Sequence, residues 1–118
     1  MNNREKKNIE RTVAKWQTAM NLGGTAIHNF FSDEEVENTA EVITSWEYHE
    51  AAIIWYTKNC EQLTQEELDE AAVHELGHIL VAPMSDHLPD EHHKLEEFVV
   101  SSITKAIMGV KNGVRNTR

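Results

Sequence analysis

The feature that most limits how this chain can fold is the pentapeptide His74-Glu75-Leu76-Gly77-His78, set inside a segment patterned as a helix. Thr64 and Glu67 form a T-x-x-E capping box that opens the helix about three turns before the pentapeptide. Leu68, Ala71, Ala72, Leu76, Ile79 and Leu80 supply an apolar face, and Pro83 marks the end. Helical residues four apart share a face, with Cβ atoms roughly 5–6 Å apart. His74 and His78 can therefore reach one metal ion, and Glu75 lies beside them, placed to take a proton from a water that the ion activates. That is the minimal equipment for metal-assisted hydrolysis of an amide.

A chain of 118 residues is long enough for one domain with one core, spanning 1–118 with loose ends at 1–4 and 111–118. The net charge of −9 argues against a nucleic-acid partner. Arg4, Lys6, Lys7 and Arg11, and again Lys111, Arg115 and Arg118, read as solvated basic termini. The single cysteine, Cys60, excludes an internal disulfide and reads as an idle thiol suited to a reducing compartment. No secretory h-region is visible at the polar N-terminus, and no apolar run approaches the length of a membrane span. A cytoplasmic protein without a membrane partner is expected, and its oligomeric state is left open.

The periodicities predict an α+β fold. Ile9, Val13, Trp16 and Met20 recur at helical spacing over residues 5–22, with Gly23-Gly24 as the stop. Residues 25–31 read as a short strand and Ser32 to Glu35 as a polar turn. Residues 40–48 alternate, with Val42, Thr44, Trp46 and Tyr48 on one face, and pair in a hairpin with a strand over 51–57. A loop over 59–63 leads into the pentapeptide helix, and a last helix runs over 90–110, with Pro89 in its first turn. The expected architecture is an N-terminal helix and a small, mostly antiparallel sheet of about three strands, packed on the pentapeptide helix, then a C-terminal helix. Gly77 allows a neighbour to approach closely, and Trp46 and Trp55 belong to the core or a sheet face.

A catalytic zinc has three protein ligands and one open position. A third histidine in the pattern H-E-x-x-H-x-x-G-x-x-H is excluded, because Val81 and Met84 stand at the required Gly and His positions. Asp86, His87, Asp90, His92 and His93 are downstream candidates. The stronger option is a glutamate on the last helix. Leu95, Val99, Ile103, Ala106, Ile107 and Val110 define its inward face, Glu96 falls within that face, and Glu97 falls about 100° away at its edge. A carboxylate on an apolar face is costly unless a cation or partner holds it. Glu96 is therefore the first choice as third ligand, with Glu97 the alternative.

His74, Glu75 and His78, followed by Glu96-Glu97 on a new helix, resemble the gluzincin zinc peptidases, and the compact layout resembles the minigluzincins. The chain is also similar to small metallopeptidases encoded by phages and prophages, through Trp46-Glu47-Tyr48, His74 to Leu80, and Glu96-Glu97-Phe98-Val99-Val100. The resemblance runs from about Trp16 to Ile107 and is specific at the pentapeptide. It implies a zincin-like domain and a zinc metallopeptidase, with Zn²⁺ on His74, His78 and the C-terminal glutamate and Glu75 as general base. It implies a peptide or protein substrate laid along an edge strand, and a Tyr or His donor to the oxyanion, for which Tyr48, His87 and His92 are unranked candidates. Larger gluzincins carry an Asp four residues after the ligand Glu; here Val100 or Ser101 stands there, so support for a ligand histidine must come from elsewhere. Two other readings stand beside it. One is a non-catalytic, zinc-stabilised binding module of phage or prophage origin, closed by His87 or His93. The other is a plain interaction domain in which the pentapeptide is fortuitous.

Overall fold

The computed structural model describes residues 1–111 and carries four helices and a three-stranded sheet. Helix α1 spans Asn3–Ala19. It starts two residues earlier than the periodicity indicated, inside the stretch expected to be loose. Asn2 caps it in a box with Glu5, and the Met1 amine pairs with Glu61 at 3.3 Å. It ends before the glycine pair: Asn21 takes the left-handed turn at φ 60°, and the Gln17 amide clamps the turn by donating to the Leu22 and Thr25 carbonyls. The expected tail from 111 onward lies, after Lys111, outside the described residues.

Strands β1 (Ala26–Ser32), β2 (Ala40–Ser45) and β3 (Glu50–Tyr56) form one sheet in the order β1-β3-β2. The expected hairpin is present: β2 and β3 are antiparallel, with Val42 opposite Ile53. The other pairing, β1 with β3, is parallel, so the sheet is mixed. Sequence alternation is blind to this, since the side-chain period is two in either direction. The link from β1 to β2 leaves a gap of one strand, and β3 returns into it. Trp46 to Tyr48 form a 3-10 turn rather than the end of β2, closed by His49 at φ 56°. Ala51, Ile53 and Trp55 point inward from β3, and the Trp55 indole donates to Asn29 of β1 at 2.9 Å.

A short helix α2, Thr57–Cys60, takes up the end of the expected third strand and the start of the expected loop. Cys60 is buried, its thiol pushed up to about 11 chiefly by burial, which fits an idle group. Helix α3 covers Gln65–Ser85 and starts at the Thr64–Glu67 box, both of whose hydrogen bonds form. It continues two residues past Pro83. It is the central element, touching α1, β2 and the last helix, and so it is buried on several sides. Leu68, Ala72, Leu76 and Ile79 lie in the core as expected, whereas Leu80 is exposed. Buried Asp69 ties α3 to α1 by accepting from Lys15 at 3.1 Å and from the Trp16 indole at 3.0 Å.

Helix α4, His93–Lys111, follows a 3-10 turn at Asp90–His92. Its inward face differs from the one that hydropathy suggests. Val100, Thr104 and Met108 are buried, while Leu95 and Val110 are exposed. The reason is the contact with α3: a Cβ at Gly77 would lie 3.1 Å from Val100 Cγ1, so the two helices meet where the glycine leaves room. Gly77 thus has the role its sequence suggested, and Val100 is the neighbour. No described helix is long and apolar enough to cross a membrane.

Candidate metal centre

The i,i+4 spacing on α3 puts the two imidazoles together, with ring centroids 5.0 Å apart and planes at 76°. The α3–α4 contact at Gly77 then fixes the phase of α4, and both glutamates at its start come to the histidines. Glu97 reaches His78 Nε2 at 3.2 Å and His74 Nε2 at 3.7 Å. Glu96 instead meets the far side of the His78 ring, with Oε2 at 2.6 Å from Nδ1. A carboxylate only accepts, so Nδ1 donates to Glu96, and this contact turns Nε2 towards Glu97.

Among the described residues, His74, His78 and Glu97 form the one group of three whose ligand atoms all lie within 4.8 Å of one another. Zinc bonds to nitrogen and oxygen are about 2.0–2.2 Å, which puts neighbouring ligands of a tetrahedral ion roughly 3.3–3.5 Å apart. At 3.2 and 3.7 Å the two glutamate contacts bracket that separation, so the donor set fits a zinc ion with small adjustments. The geometry favours Glu97 over Glu96 as the third donor. Exposure agrees: the Glu97 side chain is 59% exposed and opens on the cleft, whereas Glu96 is 22% exposed and committed to His78. Glu96, at His78 Nδ1, also stands where it can support a ligand histidine, the task that in larger gluzincins falls four residues after the ligand glutamate, here at Ser101.

Glu75 is buried, its carboxylate forms no hydrogen bond with any described residue, and it faces the same cleft. Burial, with the charges of Glu97 and Glu41 behind it, pushes its carboxyl from 4.5 up to about 8. Burial and the neighbouring His78 hold His74 below its ordinary value of 6.5, which favours the neutral, ligating imidazole. A carboxylate destabilised in this way gains from a cation nearby.

The cleft has a volume of about 700 Å³. One wall is α3 from Glu67 to Asp86, and the facing wall is β2 with Asn38 and Thr39 before it. This strand is an edge of the sheet. Neither Glu41, whose carboxylate accepts from the Tyr56 hydroxyl, nor the wall of β2 was evident from sequence. Alternation can give the faces of a strand but not its place in the sheet.

Compared with known proteins, the chain matches no family model, no curated protein and no solved structure. The site therefore rests on its own geometry. Of the remaining sequence candidates, Asp86 lines the cleft outside the group of three, and the others lie apart from it. His87 packs edge-on against Trp46 at 5.7 Å, and His93 pairs with exposed Asp90 at 3.7 Å. Neither joins the group of His74, His78 and Glu97, and of Tyr48, His87 and His92 none lines the cleft.

Proposed function

We propose that this protein is a zinc-dependent peptidase of gluzincin type, with His74, His78 and Glu97 as ligands, Glu96 orienting His78, and Glu75 as general base. The observation that carries the reading is the junction of three donors with a buried, unpartnered carboxylate on one open cleft. A zinc ion bound there supplies Lewis acidity and makes water a nucleophile near neutral pH. Glu96 holds the proton on His78 Nδ1 and keeps Nε2 free to ligate. Glu75 takes a proton from the attacking water and returns it to the departing amine; its raised affinity for protons suits both steps. The free edge of β2 accepts an extended peptide through main-chain hydrogen bonds beside these groups.

A zinc-stabilised binding module is the second reading. It is disfavoured because three donors and an accessible cleft leave a coordination position for substrate, and His87 and His93 do not close it. The deciding experiment is zinc-loaded protein incubated with a mixed peptide library and read by mass spectrometry. The proposal expects cleavage that a chelator stops and that Glu75→Gln lowers by about 10²–10⁴-fold at unchanged zinc content. Cleavage by Glu75→Gln at the parental rate would overturn it.

A further inference from the structure

We infer that the cleft selects extended peptides bearing lysine or arginine on both sides of the metal centre, with Glu70 and Asp86 as the selecting residues; the inference rests on the peptidase reading. Every charged side chain on the cleft, apart from the two histidines of the centre, is a carboxylate. Glu75, Glu96 and Glu97 belong to the centre itself. Two others are held locally: Glu41 accepts from the Tyr56 hydroxyl, and Glu67 accepts from the Thr64 amide at 2.8 Å. Glu70 and Asp86 are different. Both are exposed, and neither carboxylate has a hydrogen bond or ion pair with any described residue.

Their positions give the selection a geometry. Glu70 lies one turn before His74, about 6 Å along the axis of α3, and Asp86 lies about 12 Å beyond His78. The centre lies between the two histidines, about 3 Å further from each acid, and an extended peptide advances about 3.3 Å per residue, so the acids stand about three and about four to five residues from the centre on opposite sides. The opposite wall is the edge strand β2, whose unpaired backbone groups point to an extended ligand independently of charge. Glu75, open on the cleft and without a hydrogen-bond partner, points to a ligand as well. No lysine or arginine among the described residues lines the cleft. Arg4, Lys6, Lys7, Arg11 and Lys15 lie on α1, Lys58 on α2, and Lys94 and Lys105 on α4, none of them lining the cleft, so the local field there draws cations.

The test measures binding of three dye-labelled ten-residue peptides by fluorescence anisotropy. They share an Ala/Ser frame and carry Lys, Gln or Glu at two positions spaced to match Glu70 and Asp86. Each is measured with zinc-loaded and with chelator-treated protein, and hydrolysis is followed in parallel. The Lys peptide should bind about tenfold more tightly than the Gln peptide at 50 mM salt, and within about threefold at 0.5 M. Glu70→Lys with Asp86→Lys should reverse the order in favour of the Glu peptide while zinc content is retained. Equal binding of the Lys and Gln peptides, or a double variant that keeps the Lys preference, overturns the inference. Preference without hydrolysis counts against the peptidase reading and leaves the charge selection standing. Equal hydrolysis and equal binding of all three sinks the selection and leaves the peptidase reading intact.

Discussion

Glu96 and Glu97 are neighbours in sequence but about 100° apart on α4, and the His78 ring stands between them, Nδ1 to one and Nε2 to the other. In the proposed centre they have different tasks, and their variants should differ accordingly. Glu97→Gln removes a donor and should cost the larger share of zinc affinity. Glu96→Gln loses an orienting partner and should weaken zinc by about 10–100-fold. A competition titration with a chromophoric chelator checks the order, and a larger loss at Glu96 would exchange the two roles. Glu75 offers a second check, made without zinc. Its folded-state value of about 8 lies above the ordinary 4.5, so between these limits the folded state keeps a proton that the unfolded chain has released. The stability it contributes is full at low pH and is lost as pH rises towards 8. His74 acts in the opposite sense, losing stability as pH falls below 6.5, so the comparison must be with Glu75→Gln, in which that contribution cancels. Between pH 5.5 and 8, urea unfolding in chelator should show the parent losing about 1–3 kcal/mol relative to the variant. Parallel profiles would contradict the burial described for Glu75.

At the scale of elements, the Gly77–Val100 contact sets the site, because it fixes how α4 is turned towards α3. Gly77→Ala gains about 1 kcal/mol of helix propensity but presses on Val100, so its net effect on stability should be small. Its effect on zinc should not be small, since the displacement moves Glu97. Adding Val100→Ala should restore most of the affinity, and failure of that rescue would separate the helix contact from the metal. Asp69 joins α1 to α3, and Asp69→Ala should cost about 2–3 kcal/mol by leaving the Trp16 indole without its acceptor, as measured by thermal or urea unfolding. These elements also mark what the sequence could disclose. The Thr64–Glu67 box and the histidine spacing are local properties of one helix, and both appear as read. The face of α4 is not local. Leu95 and Val110 weigh on any hydropathy estimate, yet both are exposed, because the meeting with Gly77 decides which side is inward. Which of Glu96 and Glu97 comes within reach of both histidines depends on that same meeting. Likewise, the parallel pairing of β1 with β3 depends on a strand inserted between two others, and no alternation records that.

For the whole molecule, the three donors come from α3 and α4, and the cleft is completed by β2, so an ion held in the proposed centre would tie together the two helices that border the cleft. A ligand that binds only the folded state stabilises it by mass action, about 2.7 kcal/mol at a free concentration 100-fold above Kd. For a domain of this size that is a rise in Tm on the order of 10 °C, and it should vanish in His78→Ala. Metal content tests the proposed centre most directly. Protein purified without metal-affinity chromatography, desalted and analysed by inductively coupled plasma mass spectrometry should hold close to one zinc per chain, falling to background in His74→Ala and His78→Ala. Parental protein with no more zinc than those variants would contradict the account at its centre.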